Sequence, residues 1–572
     1  MLDLDNDYKK LRLISLGELP ADLLLVNGQV VNVFSGEIID ASVAISGSRI
    51  AGVGDYQNGS KIIDLQGRFL LPGLIDSHIH IESSMLTPAA FAQAALPHGT
   101  TAVMTDPHEI VNVMGMAGWR YMVRESQGLP LDFFWEVPSC VPATHMETAG
   151  GMIGPEELEK ALEEFPGCPA LAEMMNYPGV INGLDSVIRL MQQARDKGLL
   201  LEGHAPKLSG FPLCAYLASG CGSDHECTSI NEAREKLRLG MRILIRQGSA
   251  AQNLLELLPL VNEHNYHRCA FCCDDRHPAD IINEGHIDYV LRTAVAHGFP
   301  AIRAVQMATL NPAQHFNLKD RGAVAPGYLA DLVVVDNLEH FGVEMVFKAG
   351  RLVVHRGKNL WTAPEHDDTG FTGTFEIPDL SGRFVLKPPP GARLVKVIEV
   401  IPNQVLTRSL ILPVKQALQD PDINLLSVVE RHGRGGGMSI GLVKGFNLVR
   451  GALASSVAHD SHNLIVVGKD QTSMETAARR VAEMKGGMAV SDGEEVLASL
   501  ALPVAGLMSP HPAAQVAADH EALESAAHKL GSRLPAPFMT LSFLALPVIP
   551  ELRLTDKGLV DVNAFAIVDM WE

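Results

Sequence analysis

Short apolar runs alternate with amphipathic segments through the middle of the chain. Between about residues 71 and 320, these runs are separated by stretches whose apolar positions recur every three to four residues, as in residues 155–165, 184–198 and 251–264. The first pattern is typical of buried strands, and the second is typical of helices that pack one face against a sheet. We predict eight strands here: Gly73–His80, Thr100–Thr105, Leu131–Val137, Ala170–Met174, Leu199–His204, Gly220–His225, Met241–Ile245 and Cys269–Cys273.

Strands that alternate with helices in this way predict an α/β fold. The length of the region, roughly 250 residues, is typical of a TIM-like (β/α)8 barrel. A doubly wound open sheet is the competing arrangement. The phosphate-binding motifs GxGxxG and GxxxxGKS/T, which accompany nucleotide-binding open sheets, do not follow the first predicted strand. The barrel is therefore favoured.

Strand-rich sequence flanks the predicted barrel on both sides. Residues 21–70 and 327–357 contain short aliphatic runs cut by glycine-containing turns, which is a signature of β-hairpins. Both segments contain Ala-Asp-Leu before an aliphatic run, so we predict that they pair in one β domain. The proline-rich residues 387–391 predict a linker. The predicted organisation is a composite β domain (1–72 and 321–385), the barrel inserted in it (73–320) and a C-terminal α/β domain (392–572).

Charge and cysteine content narrow the class of protein. The 572 residues include 46 Lys or Arg and 66 Asp or Glu, which gives a net charge of −20. An acidic chain disfavours nucleic acid and anionic lipid as partners, because both select basic patches. Eight Cys in a chain of this length do not form a disulfide scaffold, and neither a signal peptide nor a membrane span is predicted. We therefore expect a cytoplasmic enzyme with no nucleic-acid or membrane partner.

Two histidines stand at the end of the first predicted strand. His78 and His80 are two residues apart, so in a strand their side chains lie on the same face. At the C-terminal end of a barrel strand, two such imidazoles can bind one divalent cation. For these two residues alone, a pair of exposed loop histidines is an equally good interpretation.

Further residues of metal-ligating type follow later predicted strands. They are Glu173, His204, His225 and Asp274. Taken singly, His204 and His225 would more often be partly buried histidines bonded to the backbone. Six nitrogen and oxygen ligands at five strand ends instead indicate two metal ions bridged by a carboxylate. This donor set contains no thiolate and suits Mn, Fe(II) or Zn.

These motifs resemble those of the amidohydrolase superfamily. The run LPGLIDSHIHIESSM and the later EGHAP, SDHE and CDD carry that resemblance. Within the superfamily, five further motifs are similar to the bacterial adenine deaminases: TTAVMTDPHEI, AEMMNYPGV, FCCDDRHPADIINEGHID, ERHGRGGGMSIGLV and SSVAHDSHNLIVVG. The resemblance extends from about residue 20 to the C-terminus. It implies a metal-dependent aminohydrolase that acts on adenine.

The resemblance also implies a role for each candidate ligand. The paired ligands of the two ions would be His78 with His80, and His204 with His225. Glu173 would bridge the ions where many superfamily members use a carbamylated lysine, and ALAEMMNY contains no Lys. Asp274 would bind a metal and act as general base and then general acid. The implied cofactor is two divalent ions per chain, with Mn(2+) favoured over Fe(2+) or Zn(2+).

The implied reaction is the hydrolytic deamination of adenine. A hydroxide shared by two cations is a nucleophile at neutral pH, and its attack at C6 would release ammonia and leave hypoxanthine. An amidohydrolase acting on a cyclic amide or an N-acetyl amino sugar is the alternative, and a non-catalytic metal-binding scaffold is a third hypothesis. The six ligands argue against the scaffold, and the C-terminal motifs favour adenine. Partners other than adenine and water are expected to be copies of the same chain, with a dimer favoured.

Three more carboxylates are candidates for the substrate site. Asp106 and Glu109 stand in Thr-Asp-Pro-His-Glu after the second predicted strand, where a proline turn with a capping Asp is the alternative. Similarity to the adenine deaminases favours purine binding for Asp106 and proton delivery for Glu109. Asp275 is a suitable acceptor for a purine N–H, although a salt bridge to Arg276 is an equal alternative.

The C-terminal sequence contains one further group of ligand-type residues. His459, Asp460 and His462 lie within the motif SSVAHDSHNLIVVG. A metal site or a part of an active-site lid is one interpretation. On composition, we favour a surface loop or an interface.

Overall fold

The N-terminal part of the chain is a helix followed by a hairpin-rich sheet. The computed structural model describes residues 4–364, 369–402, 404–435 and 437–572. Helix α1 (Leu4–Ser15) precedes five strands: β1 (Ala21–Asn32), β2 (Glu37–Ser46), β3 (Arg49–Gly54), β4 (Gly59–Asp64) and β5 (Phe69–Pro72). β1 pairs antiparallel with β2, and β2 pairs antiparallel with β3. The hairpins predicted for residues 21–70 are therefore confirmed.

The eight strands predicted for the middle of the chain are all present. They are β6 (Leu74–Ile79), β7 (Thr100–Thr105), β8 (Asp132–Trp135), β9 (Ala170–Met174), β10 (Leu200–Gly203), β11 (Ser223–Asp224), β12 (Arg242–Arg246) and β13 (Cys269–Cys272). Most are completely buried, which explains why they are apolar runs rather than alternating patterns.

These eight strands are parallel neighbours in chain order. Regular pairing links β6 to β7 and β8, β9 to β10, and β11 to β12 and β13. A parallel bridge joins Val137, just beyond β8, to β9, and the Gly222 N–H donates to the Leu201 carbonyl between β10 and β11 (2.9 Å). A parallel bridge between Ile79 and Asp274 brings the end of β13 back to β6. The carboxyl ends of all eight strands therefore face the same side.

Helices connect the parallel strands. They are α2 (Pro88–Ala95), α3 (His108–Met114), α4 (Met116–Glu125), α5 (Pro155–Glu164), α6 (Tyr177–Ile181), α7 (Asp185–Asp196), α8 (Gly210–Ala218), α9 (Ile230–Arg238), α10 (Leu254–Leu257), α11 (Pro278–Asn283), α12 (Ile287–Ala296), α13 (Ala301–Met307) and α14 (Leu310–His315). α5 and α7 confirm two of the predicted helices. The helix predicted for residues 251–264 is wrong, since only α10 and a short 3-10 turn form there. Pro259 has no N–H for a helical hydrogen bond and so ends the regular helix.

The second strand-rich segment returns to the first sheet. It contains β14 (Leu332–Val335), β15 (Val343–Lys348), β16 (Arg351–His355) and β17 (Lys358–Asn359). β14 pairs antiparallel with β5, so that one nine-stranded sheet contains strands from both sides of the parallel-strand region. The predicted pairing of the two flanking segments is confirmed.

The C-terminal part has its own sheet. Eight strands form it: β18 (Leu394–Val400), β19 (Thr407–Pro413), β20 (Ile423–Val429), β21 (Met438–Lys444), β22 (Ala452–Ser455), β23 (Leu464–Gly468), β24 (Gly487–Asp492) and β25 (Glu495–Ala501). The helices are α15 (Val414–Gln419), α16 (Gln471–Glu483), α17 (Ala513–Lys529) and α18 (Pro537–Phe543), and a three-stranded meander follows as β26 (Leu552–Thr555), β27 (Gly558–Asp561) and β28 (Ala566–Val568).

The C-terminal part packs on the parallel-strand region, where α17 contacts α11 and α2. One continuous apolar cluster contains Ile79 and Leu171 from the parallel strands together with Val397 and Val490 from the C-terminal sheet. Burial of apolar surface is the main force that holds such layers together. In the part of the chain that the structure describes, no helix is long and apolar enough to cross a membrane.

Candidate active site

The carboxyl ends of the parallel strands bring the six predicted ligands together. His78 lies within β6 and His80 directly follows it, Glu173 lies in β9, and His204, His225 and Asp274 follow β10, β11 and β13. All six side chains are buried. Two alternatives from the sequence, exposed loop histidines and histidines bonded only to the backbone, are therefore wrong for this cluster.

Glu173 lies between the two predicted histidine pairs. Its Oε2 is 2.7 Å from His204 Nδ1 and 3.1 Å from His225 Nε2, while its Oε1 is 3.4 Å from His80 Nε2. Each carboxylate oxygen therefore faces a different pair. Burial alone would raise the pKa of Glu173, but the imidazoles of His204 and His225 hold that pKa well below its ordinary value. The Glu173 carboxylate therefore lies between the two histidine pairs.

Asp274 faces the first histidine pair with one oxygen and an arginine with the other. Its Oδ1 is 3.2 Å from His80 Nε2, and its Oδ2 accepts a 2.5 Å hydrogen bond from Arg246 Nη1. Arg246 also bonds Glu226 on the same side. Asp274 has a φ of 61°, a left-handed conformation that Asp tolerates better than most residues. Burial would raise the pKa of Asp274, but the Arg246 guanidinium and the nearby imidazoles hold it well below its ordinary value.

Imidazole nitrogens converge on the centre of the cluster. His80 Nδ1 lies 2.9 Å from the Asp106 carbonyl oxygen and donates a hydrogen bond to it. His80 Nε2 lies 3.2 Å from His78 Nε2. Ligand atoms of His78, His80 and Asp274, and likewise of His78, Glu173 and His225, lie within 4.8 Å of one another. Imidazole nitrogens and carboxylate oxygens that converge in this way fit divalent metal ions.

Glu109, Ser83 and Asp275 form a polar edge of the same cavity. Ser83 Oγ lies 2.9 Å from Glu109 Oε1 and 2.5 Å from Asp275 Oδ1. One hydroxyl proton cannot satisfy both carboxyl groups, so acceptor capacity remains for a ligand. Burial raises the pKa of Asp275 to about 6. Arg276, the alternative partner of Asp275, pairs with Glu284 instead (2.8 Å).

Asp106 contacts His108 rather than the polar edge. Its Oδ1 accepts the His108 backbone N–H (3.1 Å), and its Oδ2 lies 3.1 Å from His108 Nδ1. The first contact closes a turn ahead of α3, but the N-cap of that helix is Pro107, so the turn alternative holds and a capping role for Asp106 does not. His108 in turn lies 3.6 Å from Glu173 Oε1 and lines the cavity.

The C-terminal part of the chain supplies one wall of this cavity. His459 and Asp460, on the loop between β22 and β23, are buried and line it, and His462 is completely buried beside them. His459 Nδ1 lies 3.3 Å from Glu109 Oε1, and His462 Nε2 lies 4.0 Å from Glu109 Oε2. The prediction of a surface loop or interface for these three residues is therefore wrong. Their motif is polar because it faces buried carboxylates, not solvent.

The remainder of this wall is apolar. Val405, Phe543, Leu546 and Ile549 line the cavity, and all lie far from the parallel strands in sequence. Phe543 stacks on the His459 ring, with centroids 4.6 Å apart and planes inclined by 19°. The cavity therefore combines one apolar wall with a polar edge.

Sequence reasoning missed several cavity residues. Arg246 is the last residue of β12 and lines the cavity. The expectation that functional groups lie at the ends of the parallel strands applies to it as well. Glu226 directly follows His225, and His108 lies between Asp106 and Glu109. For the apolar wall the sequence has no comparable signal, because its residues come together only in the folded chain.

Comparisons with known proteins find relatives for both the parallel-strand region and the C-terminal part. Residues 69–353 match the amidohydrolase family model, and residues 404–566 match the model of the adenine deaminase C-terminal domain. Adenine deaminase from Desulfatibacillum aliphaticivorans is 48% identical over 563 residues, which cover 97% of this chain and 98% of that protein. Adenine deaminase from Dehalococcoides mccartyi is 47% identical and is covered over 99% of both chains.

A solved structure, dihydropyrimidinase from Brevibacillus agri, has 15% identity and a TM-score of 0.46, with 59% of this chain and 96% of that one covered. The two adenine deaminases, in contrast, are nearly half identical to this chain over almost its full length. By that similarity, the chain belongs to the adenine deaminase family.

Proposed function

We propose that this protein deaminates adenine hydrolytically to hypoxanthine and ammonia at a centre of two divalent metal ions. Full-length similarity to curated adenine deaminases supports the reaction. The observation that carries the two-ion centre is the position of Glu173, whose two oxygens face different histidine pairs. A carboxylate in that position suits a bridge between two cations.

The proposed ligands are the six predicted from the sequence. His78 and His80 would hold one ion, His204 and His225 the other, Glu173 both, and Asp274 would bind through Oδ1. When bound, such ions supply a hydroxide nucleophile at neutral pH. Mn(2+) is proposed first and Fe(2+) or Zn(2+) as alternatives, since a donor set without thiolates suits all three.

Side chains of the protein would transfer protons, bind the purine and exclude bulk water. Asp274 would carry the two protons of the attacking water in turn, the first to a purine ring nitrogen and the second to the leaving amine, while Arg246 holds Oδ2 in place. Asp275 and Glu109 would accept purine N–H groups at the polar edge, and Asp106 would act through His108. The apolar wall would exclude bulk water and so strengthen these polar contacts.

We propose that the parallel strands form a TIM-like (β/α)8 barrel over residues 73–320, inserted in a composite β domain of residues 1–72 and 321–385. Residues 392–572 would form the C-terminal α/β domain. The parallel pairing of β6 to β13 and the β5–β14 pairing support this division. These ranges include residues 1–3, 365–368, 403 and 436, which lie outside the described residues. A homodimer is proposed as well, and light scattering would give the mass that tests it.

A second function, hydrolysis of a cyclic amide or an N-acetyl amino sugar, would use the same ions. The match of residues 404–566 to the adenine deaminase C-terminal domain favours adenine. In the test, apo-protein is reconstituted with Mn(II), Fe(II) or Zn(II) and supplied with adenine, adenosine, cytosine or dihydroorotate while ammonia is measured. Ammonia from adenine is expected. No ammonia from adenine with any of the metals would refute the proposal, and turnover of dihydroorotate would favour the second function.

A further inference from the structure

We propose that His459 of the C-terminal part is a substrate-binding residue that donates a hydrogen bond to a ring nitrogen of the purine. The inference rests on the proposed function and extends it, because it makes the C-terminal part a component of the substrate pocket. Nothing in the proposed reaction itself requires a residue from beyond the parallel strands.

His459 is held on two sides. Its Nδ1 lies 3.3 Å from Glu109 Oε1, and its ring stacks on Phe543 at a centroid distance of 4.6 Å. A carboxylate at Nδ1 fixes the orientation of an imidazole and leaves Nε2 for a ligand. Among the described residues, no hydrogen bond to His459 Nε2 is formed, although the side chain is only 4% exposed and lines the cavity.

The neighbouring residue adds a second unpartnered group to the same wall. Asp460 is 2% exposed, and its Oδ2 has no hydrogen-bond partner among the described residues. Buried polar atoms are normally paired, and each exception requires an explanation. Adenine offers ring-nitrogen acceptors and N–H donors around a flat apolar ring. An imidazole donor and a carboxylate acceptor on one wall of the cavity complement the acceptors and donors of adenine.

The charge of the His459 imidazole is consistent with its role as a hydrogen-bond donor. Burial alone would lower the pKa of His459, but the carboxylates around it, Glu109 first, raise that pKa to about 9. At neutral pH both ring nitrogens then carry protons. Nε2 is therefore a donor, and the unprotonated purine nitrogens are acceptors.

A third metal site is the competing use of these residues. Ligand atoms of Glu109, His459 and His462 lie within 4.8 Å of one another. However, His462 Nδ1 accepts the Ala458 backbone N–H (3.2 Å), so the proton of a neutral His462 ring is on Nε2. Nε2 is the atom that faces Glu109, and a protonated nitrogen cannot ligate a metal. The cluster therefore suits an organic ligand better than a cation.

The test compares two substitutions of His459 that keep different halves of the ring. His459→Asn places an amide near the Nδ1 position and retains the contact with Glu109, whereas His459→Gln places its amide near the Nε2 position. His520→Gln is the matched control, because His520 is equally buried on α17 and packs against His277 outside the cavity lining. The measurements are kcat and KM for adenine, the Kd of hypoxanthine by calorimetry, and metal per chain, all on metal-loaded protein.

If His459 binds the purine through Nε2, H459N raises the KM for adenine and the Kd of hypoxanthine about tenfold or more, because a hydrogen bond from a charged group is lost. H459Q then has a smaller effect, within about threefold, and the control is unchanged. Phe543→Leu, which removes the support of the ring, has the same sign as H459N, and Phe538→Leu on the same helix is its control.

Three outcomes would overturn the inference. They are wild-type affinity in H459N, a larger loss in H459Q than in H459N, and a loss of bound metal in H459N, which would favour the third metal site. If the wild-type protein neither binds nor deaminates adenine, the proposed function fails too. If wild-type protein deaminates adenine and H459N binds hypoxanthine normally, only the role of His459 is wrong.

Discussion

At the scale of single residues, Glu173 and Asp274 are both buried carboxylates, but their neighbours suit them to different roles. Glu173 has an imidazole on each side and no arginine contact among the described residues, so both oxygens are available to cations. Asp274 has Oδ2 occupied by Arg246, so only Oδ1 faces the histidines. The first arrangement suits a bridge, and the second suits one metal contact plus proton transfer.

Replacing Asp274 tests this division of tasks. Asp274→Asn should keep most of the bound metal, because the other five ligands remain, and should lower kcat for adenine by several orders of magnitude, because an amide cannot accept the proton. Metal analysis and steady-state kinetics measure the two effects. Asn at 274 with wild-type turnover would exclude a proton role for Asp274.

The residues that sequence could locate share one property. His78, His80 and Glu173 lie at the ends of apolar strands, and parallel topology alone brings such ends together. Arg246 follows the same rule but is not a preferred metal ligand, so no chemical pattern singled it out. His459 depends on how two regions pack, and a local pattern contains no information about that contact. The same limit explains why Phe543 and the other apolar wall residues were not predicted.

At the scale of secondary-structure elements, a helix behind the strands fixes two of the ligand-bearing strand ends. Lys236 on α9 is fully buried and lies 2.9 Å from Asp224, which precedes His225. Its Nζ also donates to the Ala205 carbonyl (2.6 Å), next to His204. One ammonium group therefore fixes the residues next to His204 and His225, the second histidine pair.

Removing this lysine should destabilise the protein and loosen the second histidine pair. Lys236→Met leaves the Asp224 and Glu232 carboxylates without their ammonium partner, which costs about 3–5 kcal/mol, and Tm should fall by several degrees. The double variant Lys236→Met with Asp224→Asn should recover part of the loss, because only Glu232 then lacks its partner. A double variant no more stable than the single one would show that the ion pair is not the cause.

Strands were easier to predict than helices here, for a physical reason. A fully buried strand is a short, mostly apolar run, and β9 and β13 have that pattern. The predicted helix at residues 251–264 has the right periodicity, but Pro259 interrupts its hydrogen bonds. Periodicity describes which face is buried, and it cannot by itself establish that a helix continues.

At the scale of the whole molecule, the C-terminal part holds the loop that follows β8. The Thr148 N–H donates to Asp556 Oδ1 (2.9 Å), and Thr555 Oγ1 donates to the Met146 carbonyl (2.6 Å). The Lys557 ammonium donates to the Glu147 carbonyl (2.7 Å). Asn463, on the same loop as His459, also donates to the Thr148 carbonyl (2.9 Å), so the two regions should move as one.

Hydrogen exchange tests this coupling. Asp556→Ala removes the acceptor for Thr148 and should speed amide exchange in residues 145–150 about tenfold, with little change elsewhere, because local opening becomes easier. Asp561→Ala is the control, since Asp561 lies in the same meander but caps only its own turn at Ala564. Equal protection of residues 145–150 in both variants would mean that these contacts do not hold the loop.

The central claim, a two-metal centre bridged by Glu173 that deaminates adenine, is tested most directly by titrating apo-protein with Mn(II) while ammonia release from adenine is measured. Activity should rise until two ions are bound per chain. Glu173→Gln should bind fewer than two ions and be inactive. Full activity with one ion per chain, or two tightly bound ions in Glu173→Gln, would contradict it.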